Sequence, residues 1–598
     1  MTKDDAIKPV PKERLAGLDG EDSFPEEEGV VGRSMFDTPG AQVGLVTVVV
    51  PKEHIAELPL QALVRIESQD DKTYTGIVVA GPFAEPDGLS AESSLIVTTT
   101  VRGGIFMPRY HGRVEVEILG EVVGERVIPP RFRPLPNSPV FVLDVKERAE
   151  ALHCEGDIQI GAVIGDDEVV VGAPSDKKSV LPRHTAVLGT TGGGKSTTMG
   201  RLISQAKDHG FAVVLLDTEG EYVQMSEPAD DPTMLAALEA RGLKPAGIKG
   251  MKLYHLTGTE SASAAAKTAF GVSFEDVSPH TLVEVLGLSD AQEERVWIAF
   301  EVARRALREL KIFPKSKADE QMLLDLNLFE RGYPELTLER FIDVIRLCLA
   351  TADKDDVAKV PLIDKAFAKA DAREYICKDI ADQRPSSPVS WRIVLAKLAR
   401  LHGLGIFDDP KAKPIDIGGL VKPGTVSVID LSGTDAPEVN NIVISDMLRR
   451  IHEAQNDAYT AWEKSKHKGD PQKVLVVIEE AHEFLSEARA SRMRLLFEQV
   501  SRIAKRGRKR WLGLVFVTQL PQHLRRDVLA LTNNYVMHRI NDAQVITWLR
   551  GVVPGIDEPM WRRLPAMAPG QAIVSFTHMA RPLVVAIDPS PCKLRMVD

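Results

Sequence analysis

The segment Gly189-Thr190-Thr191-Gly192-Gly193-Gly194-Lys195-Ser196 fits the spacing G-x-x-x-x-G-K-[ST]. Phosphate oxygens need backbone N–H donors at close range, and glycines let a chain come that near while it turns into a helix. In this pattern the lysine reaches the β and γ phosphates and the next hydroxyl binds Mg²⁺. Gly189, Gly192, Gly193, Gly194, Lys195, Ser196 and Thr197 are therefore candidates for holding ATP, with Ser196 also a ligand of Mg²⁺. The plain alternative is a chance Gly-rich turn. Against it stand an apolar strand expected at 185–188 and an amphipathic helix at 196–209, the context such a loop requires.

A second element is the run Val474-Leu475-Val476-Val477-Ile478-Glu479-Glu480-Ala481-His482. An apolar strand ending in an acid sets a carboxylate beside the magnesium of such a loop. Glu479 takes that place, where aspartate is commoner, and Glu480 follows as a candidate to polarise the attacking water. Gln519 closes another apolar strand, 512–518, and is a candidate sensor of the γ-phosphate. Arg502, Lys505, Arg506, Arg508, Lys509 and Arg510 form a basic block just before that strand, at the end of the sheet away from the chain's own nucleotide. The block is open to three readings: a finger for a neighbour's ATP, a contact to DNA phosphates, or a solvated face. Arg489, Arg492 and Arg494 are candidate pore residues with plain surface as the alternative.

The elements that must position these groups read as an α/β core. Strands are expected at 185–188, 211–217, 426–431, 474–479, 512–518 and 535–540, with helices between them. Their apolar runs lack alternation, which marks a parallel sheet covered on both faces. Upstream, short β-rich stretches at 43–50, 62–66, 75–79, 95–101 and 114–118, broken by Gly and Pro, predict a small β-barrel, and another such stretch at 158–171 leads into the core. Apolar residues at helical spacing in 282–310 and 391–401 predict a helical insertion. The expected boundaries are a loose arm at 1–28, the barrel at 29–135, the core at 136–225 and 416–590, the insertion at 226–415 and a tail at 591–598.

Bulk properties set the frame. A chain of 598 residues with 44% hydrophobic and 27% charged content calls for several cores. No apolar run approaches the length of a membrane span and the start lacks a signal-like segment, so no membrane partner and a cytoplasmic location are expected. Four scattered cysteines, Cys154, Cys348, Cys377 and Cys592, lack metal-knuckle spacing and fit a reduced compartment. The net charge of −11 argues mildly against a surface coated for nucleic acid, but leaves room for a local basic channel.

With these elements in order, the chain resembles the HerA family of hexameric DNA translocases, relatives of FtsK. The resemblance rests on the barrel, which is similar to the family's HAS barrel, and on Asp217-Thr218-Glu219-Gly220-Glu221-Tyr222, similar to its D-x-x-G-E-Y segment. It rests also on Val428-Ile429-Asp430-Leu431-Ser432-Gly433, Glu480-Ala481-His482, Gly507-Arg508-Lys509 and Thr518-Gln519-Leu520-Pro521, in the family order. It implies an α/β fold: a RecA-like P-loop ATPase core with an N-terminal HAS-like barrel and a helical insertion. It further implies Glu480 as the catalytic glutamate, Gln519 as the sensor, and Arg508 or the neighbouring Arg506 as a finger acting on the next subunit; Arg506 stands where the family has an acid. The activity implied is ATP- and Mg²⁺-dependent translocation or unwinding of double-stranded DNA by a homohexameric ring, with a NurA-like nuclease as partner. The other reading of that resemblance is an assembly platform in anti-phage defence, whose nuclease or sirtuin-like effector does the output chemistry. A small-molecule kinase is disfavoured, because Glu480 is set to activate water rather than an acceptor hydroxyl.

Overall fold

The computed structural model describes residues 28–37, 44–86, 109–124, 126–263, 266–325, 331–383, 387–434, 436–487 and 494–595. The expected strand at 95–101, the arm up to residue 27, and Arg489 and Arg492 lie outside them. The chain divides into two units, Met1–His153 and Cys154–Asp598.

The first unit is a closed antiparallel barrel. Its strands are β1 (Val30–Ser34), β2 (Leu45–Val50), β3 (Leu63–Glu67), β4 (Thr73–Pro86), β5 (Tyr110–Val123), β6 (Arg126–Ile128) and β7 (Pro139–Val142). The order β2-β1-β7-β3-β4-β5 closes through pairing of β2 with β5, and β6 hangs on β5. Inward positions alternate with outward ones: Val46, Val48 and Val50 on β2 and Val114, Val116 and Ile118 on β5 are buried. The expected limit at 135 falls short of this barrel, because β7 fills the gap between β1 and β3 and the ring cannot close without it. A helix, Val145–Leu152, follows behind a capping box of Asp144 and Glu147.

The second unit is built on a twelve-stranded sheet. Its strands are β8 (Ile158–Val163), β9 (Asp166–Ala173), β10 (Thr185–Leu188), β11 (Phe211–Asp217), β12 (Lys252–Leu256) and β13 (Lys267–Phe270). They continue with β14 (Val426–Asp430), β15 (Lys473–Ile478), β16 (Leu512–Thr518), β17 (Asn534–Met537), β18 (Gln571–Ser575) and β19 (Leu583–Ile587). The spatial order is β13-β12-β14-β11-β15-β16-β10-β17-β18-β19-β8-β9. From β13 to β17 neighbouring strands run parallel; from β17 to β9 they alternate. Every residue of β11 and β16 is buried, as two covered faces require.

The stretch 226–415 is helical for the most part. Asp290–Glu309, Leu338–Asp353, Ala370–Gln383 and Pro388–Gly403 share one apolar core around Val302, Phe341, Cys348, Ile376 and Trp391. It is not only helical, because β12 and β13 come from it and extend the core sheet beyond β14. The apolar spacing of 282–310 resolves into two helices, Pro279–Val285 and Asp290–Glu309, parted at Gly287 with φ +56°. Among the described residues no helix is long and apolar enough to cross a membrane.

His184, at the foot of β10, locks three elements together. Its Nδ1 accepts the Leu514 N–H at 2.9 Å, which puts the proton on Nε2, and Nε2–H donates to the Ala504 carbonyl at 2.9 Å. Burial pushes this imidazole down to about 4. An unfolded histidine titrates near ~6.5, so the neutral clamp contributes stability above that pH and loses it as pH falls toward 4. In urea unfolding, the stability advantage of the wild type over His184→Gln is expected to shrink by about 2 kcal/mol between pH 7 and pH 5. A pH-independent difference between the two proteins would contradict the buried neutral state.

Candidate nucleotide site

The glycine loop leaves β10 and enters the helix Lys195–Asp208, whose N-cap is Gly194. Gly192 (φ +72°) and Gly194 (φ +108°) hold conformations that side chains resist. A Cβ on Gly194 would also meet the Gly570 nitrogen at 3.1 Å. The loop is pinned from outside: Thr190 donates both its N–H and its hydroxyl to the Arg539 carbonyl at 3.0 Å, and Gly570 N–H donates to the Gly193 carbonyl at 3.3 Å. Below the loop, His538 accepts the Thr198 hydroxyl at 2.8 Å and donates from Nδ1 to the Gln571 carbonyl at 3.0 Å. Burial first, then the nearby Lys195 ammonium, pushes His538 down to about 4, so it brings no second cation under the phosphates. Lys195 Nζ donates to the Thr190 carbonyl at 3.4 Å and forms no ion pair among the described residues.

The neighbouring strands deliver the other groups to the same edge. Gln519 leaves β16 and its Oε1 accepts the Thr191 hydroxyl at 2.6 Å, so the candidate sensor touches the glycine loop directly. Beyond β15, Glu480 takes φ +43°, a left-handed conformation costly for a residue with a Cβ. Its Oε2 lies 2.9 Å from His482 Nδ1, which in turn stands 3.0 Å from the Thr518 hydroxyl at the end of β16.

Glu479 points elsewhere. It is buried and accepts the Tyr222 hydroxyl at 3.0 Å. Burial, then the charges of Glu221, Asp217 and Glu480, holds its carboxyl well above the usual range. The turn after β11 is organised by Asp217, whose carboxylate accepts the N–H groups of Gly220, Glu221 and Tyr222 at 2.8, 3.2 and 3.0 Å. Burial, with Asp430 close by, pushes Asp217 up to about 7. That turn aims Glu221 at the glycine loop, where its Oε2 accepts the Ser196 hydroxyl. Sequence reasoning gave Glu221 no role; the available signal was its place in the segment Asp217 to Tyr222.

These groups suit Mg·ATP. Two glycines form a cradle that side chains would strain, the Lys195 ammonium beside it has no carboxylate partner among the described residues, and a hydroxyl flanked by a carboxylate offers the hard oxygens Mg²⁺ prefers. Ser196 and Glu221 would hold the metal side, with Glu479 buried behind them; Thr197 is half-buried in the helix's first turn. The basic block lies apart. Arg506 ends the helix Arg494–Arg506, and the short helix Gly507–Arg510 leads into β16 at the edge opposite Gln519. Lys505, Arg506, Arg508 and Lys509 are exposed there. Arg494 pairs with Glu498 at 2.8 Å on the surface.

The topology and the loop define a RecA-like P-loop ATPase, in which the P-loop strand β10 and the acid-bearing strand β15 are separated by β16. Residues 158–451 match the family model described as helicase HerA, central domain. This central part of the chain is similar to the HerA family of helicases. It is 25% identical to the DNA double-strand break repair helicase HerA of Sulfurisphaera tokodaii over 540 residues, 90% of this chain and 89% of that protein. It is 23% identical to the probable DNA double-strand break repair helicase HerA of Methanocaldococcus jannaschii, over 79% of this chain and 84% of that one. Among solved structures, VirB4 of Thermoanaerobacter pseudethanolicus aligns with a TM-score of 0.43 at 14% identity, over 73% of this chain and 97% of the other.

Gly194→Ala tests the cradle. Left-handed strain and the contact with Gly570 are expected to weaken binding of a fluorescent ATP analogue by about tenfold or more. The same strain is expected to lower the thermal midpoint only modestly, by at most about 2–4 °C per kcal/mol in a chain of this size. Unchanged affinity would mean the nucleotide does not sit on this loop.

Proposed function

We propose that this protein is an ATP-driven translocase or helicase of double-stranded DNA, working as a homohexameric ring with a nuclease or another effector protein. The observation that carries the reading is the polarity of the sheet. The glycine loop, Gln519, Glu221 and Glu480 share one edge, while Arg506 and Arg508 stand at the opposite edge of the same strands. A subunit whose cations cannot reach its own nucleotide can offer them to a neighbour's, and such head-to-tail contacts close into rings. The family and the names of the relatives support DNA as the substrate.

In this reading bound Mg·ATP supplies the phosphoryl group and the metal's charge. Lys195 offsets charge on the β and γ oxygens, and Ser196 with Glu221 orients the metal side. Glu480 directs a water at the γ-phosphorus and accepts its proton as the bond to the β–γ bridging oxygen breaks, leaving ADP and phosphate. His482 lies beside that carboxylate, its Nδ1 2.9 Å from Glu480 Oε2 and hydrogen-bonded to the Thr518 hydroxyl. Gln519, bonded to Thr191, registers whether the γ-phosphate is present. Arg508, with Arg506 beside it, completes the neighbouring site.

Glu480→Gln is expected to lower turnover by about 10²-fold or more while ATP binding persists. Arg508→Ala is expected to be inactive alone as well. Mixing the two inactive variants should restore part of the turnover, since some interfaces then pair an intact Glu480 with an intact Arg508. Turnover retained by Glu480→Gln would refute its role, and absence of recovery on mixing would refute action between subunits.

Duplex DNA is expected to stimulate turnover, and its binding should weaken steeply with added salt, because phosphates alone are contacted. Salt-insensitive binding would count against passage through a basic channel.

A further inference from the structure

The last described stretch, 588–595, crosses the helix that follows the glycine loop and ends against the turn that carries Glu221. Asp588, almost fully buried, pairs with Arg201 of that helix at 3.1 Å and with Arg241 at 3.1 Å. Ser590 lies so close over Gly200 that a Cβ there would come within 2.3 Å of its hydroxyl. Pro591 accepts the N–H groups of Ala229 and Ala246 at 3.0 and 2.8 Å, Lys593 N–H donates to the Glu227 carbonyl at 3.0 Å, and Lys593 Nζ pairs with Asp230 at 2.7 Å. The last link is Arg595, whose N–H donates to the Glu221 carbonyl at 2.9 Å. The stretch therefore ties the helix bearing Ser196 to the turn bearing Glu221, the two sides of one hydroxyl–carboxylate contact.

We infer that 588–595 is a positioning strap that sets the Glu221 carboxylate against the Ser196 hydroxyl and so tunes how readily the site takes Mg²⁺. The inference rests on the reading of Ser196 and Glu221 as the metal side of the nucleotide site. Two features suit this role better than mere stapling of a chain end. The strap's final hydrogen bond goes to Glu221 itself, and the helix presents a glycine where a larger residue would lift the strap away. A helix interior ordinarily disfavours glycine relative to alanine, so its place here is set by that contact.

The test uses the full chain, with binding of a fluorescent ATP analogue titrated with Mg²⁺. Arg595→Pro deletes the N–H and is expected to raise the half-saturating Mg²⁺ about fivefold, the worth of one backbone hydrogen bond. Arg595→Ala, which keeps the N–H, should stay within about twofold of the parent. Gly200→Ala is expected to raise the Mg²⁺ requirement despite its better helix propensity, and Gly200→Ala with Ser590→Gly should restore it. An unaltered requirement in both Arg595→Pro and Gly200→Ala, even with a lowered thermal midpoint, would make the strap a staple only and overturn the inference. Glu221→Gln separates the two levels. If it raises the Mg²⁺ requirement while the strap variants do not, the strap alone fails; if it does not, the reading of the metal side falls, and the strap with it.

Discussion

Parallel pairing in a fixed register is the constraint on which the site depends. Leu188 faces Thr518 across the β10–β16 pair, so Gly189 and Gln519 leave the sheet at one level. Ile478 faces Phe516, which brings Glu480 out level with Thr518 two residues later. Leu216 faces Ile478, and Asp217 faces Asp430, so the turn carrying Glu221 starts from the same line. A slip of one residue in any of these pairs would turn the delivered side chain to the other face. The buried apolar runs of β11, β15 and β16 do not by themselves oppose that slip; it would instead break the polar contacts at the strand ends, such as Gln519 with Thr191, His482 with Thr518 and His184 with Leu514.

That convergence is electrostatically costly. Asp217, Glu219, Glu221, Glu479 and Glu480 crowd one edge, and burial together with mutual repulsion lifts the carboxyls of Asp217, Glu219 and Glu479. Such a cluster is tolerable where cations arrive as part of the chemistry, and Lys195 is left without a carboxylate of its own on the facing loop. Glu480 adds backbone strain at φ +43°. The neighbouring N–H of Ala481, bonded to the Val517 carbonyl at 3.0 Å, keeps that strained residue in place. At the far edge exposed Lys505, Arg506, Arg508 and Lys509 reverse the sign, so a chain of net charge −11 is polarised along its strands.

Much of this was legible because it is local. The glycine spacing needs only eight consecutive residues, and unbroken apolar runs located β10, β11, β14, β15 and β16 to within a residue. What escaped was decided at long range. β12 and β13 are short, sit within a helical stretch and take their strand form from pairing onto β14. β7 begins with proline and is defined by the gap it fills between β1 and β3. Glu221 meets Ser196 across 25 residues of sequence, and its direction comes from three N–H groups gathered by Asp217. No periodicity encodes such a contact.

The two edges are joined by one strand. β16 runs from the basic turn to Gln519, and seven extended residues span about 23 Å. Both of its ends are anchored. At the foot, Arg510 donates to Asn456, its carbonyl accepts from Gln455, and Trp511 holds a left-handed turn beneath the ammonium groups of Lys178 and Lys473 at 5.6 and 5.5 Å from its ring. At the top, Gln519 holds Thr191 of the glycine loop. Between them every residue is buried and the ladders to β10 and β15 leave the strand no freedom to bend. A stiff rod fixed at both ends transmits displacement rather than absorbing it. The strand therefore fixes the separation between Gln519 at the glycine loop and the turn that carries Arg508, and the ladders on both sides keep that separation from varying.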